Sequence, residues 1–347
     1  MNEYFITGRL HDESAPAYII AEVAQAHDGS LGTAHAYIDL IAEIGADAVK
    51  FQAHIAEAES TSDEVFRVNF SYEDKNRYDY WERISFSEEQ WTGLANHARE
   101  NNIDFIVSVF SDAAFEFSQK LGVAAWKLAS GEVFSNNRVT RMAETGRPLL
   151  ISTGMSSWAD IDEIHQKASV SGAEFALLQC TSQYPTPFES VGLNVIDELR
   201  KRYGVPVGLS DHSASIWPPI AALARGARVL EMHIVFDRRA FGPDSIASLT
   251  PADFALVVQA RDAFHDLKTH AVDKDIMAEK LTSVRQLFSQ SIAPVIPLTA
   301  NTVLQPHHLT TKKPGTGIKP DRIRELVGRR LTRDISPHRL LCEDDFE

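Results

Sequence analysis

The sequence predicts a (β/α)8 barrel, the TIM-barrel class of α/β fold, followed by a small separate C-terminal domain. Eight short apolar runs alternate with stretches of helical period between Tyr18 and Leu267, and most of these runs break into polar residues at their carboxyl ends. After that the alternation gives way to short apolar pieces punctuated by Pro and Gly. A doubly wound open sheet is the alternative, weakened because no G-x-G-x-x-G follows the first run. The expected division is residues 1–270 for the barrel, 271–290 for a charged helical linker and 291–347 for the small domain.

Residues 18–22 form the first expected strand, ending in the carboxylate of Glu22, and His27-Asp28-Gly29-Ser30 reads as a turn. Residues 31–44 place Ala34, Ile38, Ile41 and Ala42 at helical spacing, and residues 47–52 are the second strand. Residues 53–83 are polar and aromatic with no clean period, either a binding loop at the barrel mouth or a plain surface excursion. Ser87 caps a helix to about residue 101, with Glu88 and Glu89 in its first turn. Strands follow at 105–108, 125–130, 148–152, 175–180, 207–210 and 229–233, with helices at 112–121 and from about Ser157 among the segments between them. Residues 251–267 are a further helix, and 273–290 the helical linker. Lys312-Lys313-Pro314-Gly315-Thr316-Gly317-Ile318 is a basic glycine-rich stretch that could touch an anion or serve only as a turn, and the acidic tail from Glu343 is expected to be a solvated end.

The composition sets limits on function. The chain has 347 residues, 44% hydrophobic and 24% charged, proportions of an ordinary globular protein. No apolar run approaches the ~18 residues that span a bilayer, so no membrane partner is expected. The opening Met1-Asn2-Glu3-Tyr4-Phe5 carries no basic region ahead of an apolar core, hence no visible signal peptide. Cys180 and Cys342 make no disulfide framework, and a reducing cytoplasm is the simplest setting. A net charge of −14 argues against a nucleic-acid partner.

In a barrel of this kind chemistry sits at the carboxyl ends of the strands. The polar residues there are Glu22, Lys50 with Gln52, Ser108, Lys127 with Ser130, Ser152, Ser182 with Tyr184, Ser210 with His212, and Glu231 with His233. Lys50, Lys127, Ser130, Ser152 and Ser210 would make a cationic, hydroxyl-rich pocket suited to a phosphate and a carboxylate. His212 and His233 supply two nitrogen ligands, too few for a closed zinc site, so an open site for Mn²⁺, Co²⁺ or Mg²⁺ completed by substrate and water oxygens is one reading. Hydrogen-bonded structural histidines are the other. Glu22 is a candidate general base or water-orienting group, and Lys50 could instead be a Schiff-base lysine of the aldolase type. The remaining histidines are read as surface or packing residues.

Ile20-Ala21-Glu22 with His27-Asp28-Gly29-Ser30, Gly45 to Gln52, Ser152-Thr153-Gly154-Met155, Tyr184-Pro185, Gly208 to His212 and Gly242-Pro243-Asp244 resemble the sialic acid (N-acetylneuraminate) synthase family. The segment with Lys313-Pro314-Gly315-Thr316-Gly317-Ile318 is similar to that family's antifreeze-like SAF domain. The resemblance implies a phosphoenolpyruvate-dependent condensation with an N-acyl amino sugar aldehyde, giving a nine-carbon 2-keto acid and phosphate. It also implies that Lys50, Lys127, Ser130, Ser152, Ser182 and Ser210 hold phosphoenolpyruvate, and that His212 and His233 hold a divalent metal, typically manganese. Gln52, Tyr184 and Asp244 would face the sugar, Glu22 would handle a proton or position water, and Lys313 would reach a partner's site in a domain-swapped homodimer.

The chain departs from the family pattern at Ala26, Asp28, Ser182, Ser245 and Lys313, most of them expected on or near the sugar side. Legionaminic, pseudaminic or other nonulosonic acids are therefore candidate products beside sialic acid. A Schiff-base aldolase and a non-catalytic sugar-binding protein on the same scaffold are the competing functions.

Overall fold

The computed structural model describes residues 4–133 and 137–347, so residues 1–3 and 134–136 of the expected barrel span lie outside it. The chain divides into two compact units, Met1–Thr269 and His270–Glu347. In the first, strands β1 (Tyr18–Ala24), β2 (Ala48–Ala53), β3 (Asp104–Val109), β4 (Trp126–Leu128), β5 (Leu149–Ser152), β6 (Phe175–Cys180), β7 (Val207–Asp211) and β8 (Val229–His233) close a barrel in sequence order. The neighbouring strands are parallel, including β8 against β1.

Period-two alternation explains what the barrel encloses. On β1, Ile19, Ala21 and Val23 join the core beneath the outer helices, while Tyr18 and Ile20 turn inward. The inner core contains Tyr18, Ile20, Ala48, Ile106, Leu150, Leu178 and Val229, stoppered by Ile6 and Leu10 of the N-terminal segment. Two residues further along the same inward rows the residue type changes to Glu22, Lys50, Ser108, Ser152, Cys180 and Glu231. The barrel is thus apolar at the amino ends of its strands and polar at the carboxyl ends. Gly208 belongs to this inner packing, because a Cβ there would lie 2.2 Å from the Val229 carbonyl oxygen on β8.

Local signals set the surrounding helices. Helix α1 (Leu31–Glu43) starts where Ser30 accepts from Thr33 N–H. The 53–83 stretch holds two short helices, α2 (Ala56–Glu59) and α3 (Arg77–Ile84), and builds a small core of its own from Ala56, Tyr80, Trp81 and Ile84, flanked by Phe66 and Phe70. Helix α4 (Glu88–Glu100) follows with a reciprocal capping box between Ser87 and Gln90. The fourth strand is shorter than the expected 125–130. Ser130 has left the ladder, and its hydroxyl accepts from Gly154 N–H at 3.0 Å.

The second unit opens with two short helices, Lys274–Lys280 and Thr282–Phe288, where one linker helix is expected. No residue of either is buried, and so short a helix gains little stability without packing. An antiparallel pair, β9 (Ser291–Pro294) and β10 (Leu309–Lys312), then packs with Leu304, Leu326, Leu331 and Leu341. The acidic tail is not the solvated end the sequence suggests. Asp345 is wholly buried, accepting from Cys342 N–H at 2.8 Å and Arg339 at 2.9 Å, and Phe346 joins the core. Among the described residues no helix is long and apolar enough to cross a membrane.

Candidate active site

The polar strand ends of the barrel surround a cavity of about 580 Å³. At its closed end, Glu22 on β1 and Lys50 on β2 are register partners, and their buried side chains form an ion pair. Lys50 Nζ also donates to Ser108 Oγ at 2.9 Å and lies 3.8 Å from Glu231 Oε2. Lys127 Nζ donates to Ser152 Oγ at 2.7 Å and lies 3.7 Å from Glu231 Oε1, which accepts from Ser210 at 3.0 Å. Two ammonium groups therefore share one carboxylate, with hydroxyls filling the gaps.

The charges in this cluster settle each other's protonation. Burial pulls the Lys50 ammonium toward neutrality, but Glu22 and Glu231 outweigh it and hold its pKa above the ordinary lysine value. That works against a Schiff-base role, which needs a free amine. Burial dominates at Lys127 and leaves it below the ordinary value despite Glu231. Burial pushes Glu231 up, but Lys127 and Lys50 more than compensate and keep it below the usual carboxylate range. Among the described residues Glu231 Oε2 has no hydrogen-bond partner, a buried acceptor still open to a ligand donor.

His212 and His233 meet above this cluster with ring centroids 5.2 Å apart. His212 Nδ1–H donates to the Thr181 carbonyl at 3.1 Å, which leaves the lone pair on Nε2. Burial first, and then the neighbouring His233, lower the His212 pKa to about 3, so the ring is neutral and competent as a ligand. His233 Nδ1 lies 3.9 Å from Asp244 Oδ2. Among the described residues no group of three His, Cys, Asp or Glu is placed to hold a metal by itself. Two imidazoles fit an open site completed by substrate and water oxygens, and do not fit a closed structural one.

Toward the mouth, Tyr184 packs on His212 at 4.1 Å and carries the Arg67 guanidinium 4.6 Å over its ring. Gln52, Ser130, Ser182 and Asp244 also line the cavity. Gly154 is required here, since a Cβ would fall 2.6 Å from Ser182 Oγ and 2.7 Å from Ser130 Oγ. The barrel unit thus gathers Lys50, Gln52, Lys127, Ser130, Ser152, Ser182, Tyr184, Ser210, His212, His233 and Asp244 around one cavity, with Glu22 buried directly behind Lys50. Lys313 belongs to the second unit, where its ammonium sits 5.1 Å over Phe288.

Of the departures within the barrel, only Ser182 lines the cavity. Ala26 packs against the outer core, Asp28 pairs with Arg83 at 3.0 Å, and Ser245 is buried at the start of a turn of 3-10 helix, Ser245–Ala247. The structure also adds residues to which the sequence reading gives no role. Glu231 bridges both lysines, and Gln25, His54, Glu59 and Arg67 line the cavity from the loop after β1 and from the 53–83 stretch. His54 continues the inward alternation of Lys50 and Gln52, a signal present in the sequence. Gln25 follows a register shift between Glu22 and Ala24 that hides any alternation.

Residues 37–272 match the model of the NeuB family, and residues 290–347 that of the SAF domain. The chain is 31% identical to the N,N'-diacetyllegionaminic acid synthase of Legionella pneumophila, over 96% of each chain. It is also 31% identical to the human N-acetylneuraminate-9-phosphate synthase, over 97% of this chain and 94% of that protein. Among solved structures, the N-acetylneuraminic acid (sialic acid) synthetase of Leptospira borgpetersenii superposes with a TM-score of 0.68 at 26% identity, covering 79% of this chain and 93% of the other.

Proposed function

Because the chain belongs to the NeuB family, we propose that it is a nonulosonic acid synthase, joining phosphoenolpyruvate to an N-acyl amino sugar aldehyde and releasing phosphate. Relatives named as legionaminic acid and N-acetylneuraminate-9-phosphate synthases support the reaction class. The observation that carries the reading is the pair of buried lysines at the closed end of the cavity, joined through Glu231. A barrel core has no structural need for two such cations, and an anionic substrate does.

In this mechanism Lys50 and Lys127 hold the phosphate and carboxylate, with Ser130, Ser152, Ser182 and Ser210 adding hydroxyls. Gln52, Tyr184 and Asp244 orient the amino sugar. C3 of phosphoenolpyruvate attacks the aldehyde carbon, and the carbonyl oxygen becomes a hydroxyl. Water adds at C2, the bond from C2 to the bridging oxygen breaks, and phosphate leaves with that electron pair; of the two protons that water gives up, one ends on the new hydroxyl of the former aldehyde and the other on phosphate as the C2 carbonyl forms. We assign to Glu22, which accepts from Gln52 Nε2 at 3.1 Å, the role of orienting the water and taking its proton on a carboxylate oxygen. A divalent cation held by His212 and His233, manganese by preference with cobalt or magnesium as alternatives, would supply Lewis-acid polarisation of the aldehyde. We assign the chain to a domain-swapped homodimer in which Lys313 serves a partner's cavity, and to the cytoplasm, in keeping with its free Cys180 and Cys342.

The test is phosphate release from phosphoenolpyruvate with a panel of phosphorylated and unphosphorylated N-acyl amino sugars. Release should require one of the sugars and disappear on chelation. Release indifferent to sugar, or none with any of them, overturns the proposal. So does borohydride trapping of pyruvate on Lys50.

A further inference from the structure

A line of polar side chains runs from the 53–83 stretch to Glu22. Glu59 at the end of α2 meets His54 Nδ1 at 2.5 Å, and both side chains are more than nine-tenths buried. His54 Nε2 lies 2.8 Å from Gln25 Nε2, which is 2.5 Å from Gln52 Oε1, and Gln52 Nε2 donates to Glu22 Oε1 at 3.1 Å. The imidazole is clamped between Trp81 at 3.6 Å and Phe110 at 4.4 Å, with interplanar angles of 7° and 15°.

Counting protons gives this line a direction. The Gln25 amide has two hydrogens, one for Gln52 Oε1 and one for a lone pair on His54 Nε2. That lone pair requires the ring proton on Nδ1, where the Glu59 carboxylate accepts it. With its oxygen occupied by Gln25, the Gln52 amide must present its NH₂ to Glu22. Reversing the imidazole tautomer would set an N–H of His54 against the Gln25 NH₂. Reversing Gln52 would set its carbonyl oxygen against the Glu22 carboxylate. This assignment gives each amide hydrogen and the ring proton an acceptor; its one unfavourable contact sets the lone pair of His54 Nε2 3.2 Å from Gln52 Oε1, where the Gln25 NH₂ bridges the two acceptors.

We infer that His54 and Glu59, acting through Gln25, are positioning residues that hold the Gln52 amide and the Glu22 carboxylate in the orientation the amino sugar meets. The inference rests on the proposed function for its consequence in turnover, but not for its geometry. The aromatic clamp fixes the plane of the imidazole, Glu59 fixes its tautomer, and the amides carry that choice to the floor of the cavity. None of His54, Glu59 and Gln25 needs to touch the reacting atoms for this.

Two measurements test it. In the full chain, ¹⁵N shifts of His54 should show a protonated Nδ1 and an unprotonated Nε2; the opposite tautomer overturns the inference whether or not the protein turns over any sugar. His54→Phe keeps a ring between Trp81 and Phe110 and removes the acceptor. It should raise KM for the amino sugar and lower kcat/KM about tenfold, with KM for phosphoenolpyruvate within about twofold, and it should lower the melting temperature because the buried Glu59 carboxylate loses its partner. His54→Gln, which can still accept from Gln25, should recover part of the loss. In a Gln52→Ala background His54→Phe should cost nothing further. Equal losses in both backgrounds, or no loss in either, overturn the inference. A wild-type protein that consumes no amino sugar, with the tautomer as stated, would instead count against the proposed function and leave the positioning chain in place.

Discussion

Glu22 and Lys50 stand opposite each other on adjacent strands, and their side chains close an ion pair with 1% and 3% of their surface exposed. Such a pair need not add net stability, because desolvating both charges offsets their attraction. Its persistence at the floor of a cavity is easier to understand as preparation for a substrate. Lys50→Met leaves Glu22 buried without its ion-pair partner and Glu231 with Lys127, and should destabilise the protein by about 3–5 kcal/mol. Adding Glu22→Gln should restore most of that without restoring turnover. Chemical denaturation of both variants decides the matter; a double variant no more stable than the single one would show that the pair is not the energetic unit.

Lys127 should contribute the pH-sensitive part of anion binding. Its pKa is lowered by burial whereas that of Lys50 is raised by its carboxylates, so Lys127 is the first of the two to lose its proton as pH rises. Affinity for phosphoenolpyruvate should therefore fall on the alkaline side at a pH below the ordinary lysine value. Lys127→Arg should move that limb upward, and Lys127→Met should abolish it while raising KM for phosphoenolpyruvate roughly 10–100-fold. A profile of kcat/KM against pH for the three proteins is the measurement, and an alkaline limb unchanged in Lys127→Met would refute the assignment.

Much of this site is legible in the sequence because strands repeat with period two. Once Lys50, Ser210 and Glu231 are placed inside a barrel, Gln52, His212 and His233 must point the same way. The same rule reaches His54, which the sequence reading instead leaves among surface or packing histidines. Gln25 and Arg67 lie beyond the rule. One follows the β1 register shift, and the other sits in a stretch whose small core is assembled from residues as far apart as Ala56 and Tyr80. Ser245 illustrates the limit of motif comparison. Its neighbour Asp244 lines the cavity while Ser245 turns into the protein.

Metal binding should show as stabilisation before it shows as activity. A cation that binds only the folded chain at 100 times its Kd adds about 2.7 kcal/mol. Mn²⁺ should therefore raise the melting temperature of the wild-type protein by several degrees, and a chelator should reverse the rise. His212→Ala and His233→Ala should each remove most of the shift while retaining the fold, since among the described residues neither ring has a hydrogen bond beyond the one from His212 to Thr181 and weak contacts near Cys180 and Asp244. An undiminished shift in both variants would place the cation elsewhere.

The acidic tail offers a test independent of any reaction. Asp345 is wholly buried, with one carboxylate oxygen accepting from Arg339 and the other from Cys342 N–H, and Phe346 beside it completes the core of the second unit. Asp345→Ala strands a backbone donor and removes a charge-assisted bond, which together should cost about 2–4 kcal/mol. Glu343→Ala, which loses an exposed pairing with Arg322, should cost less than about 1 kcal/mol. Because the chain has two compact units, the Asp345 variant should lower the first transition in calorimetry and leave a later transition of the barrel in place. If both substitutions have the same small effect, the tail is the solvated end that its charge density suggests, and the packing of Phe346 contributes little.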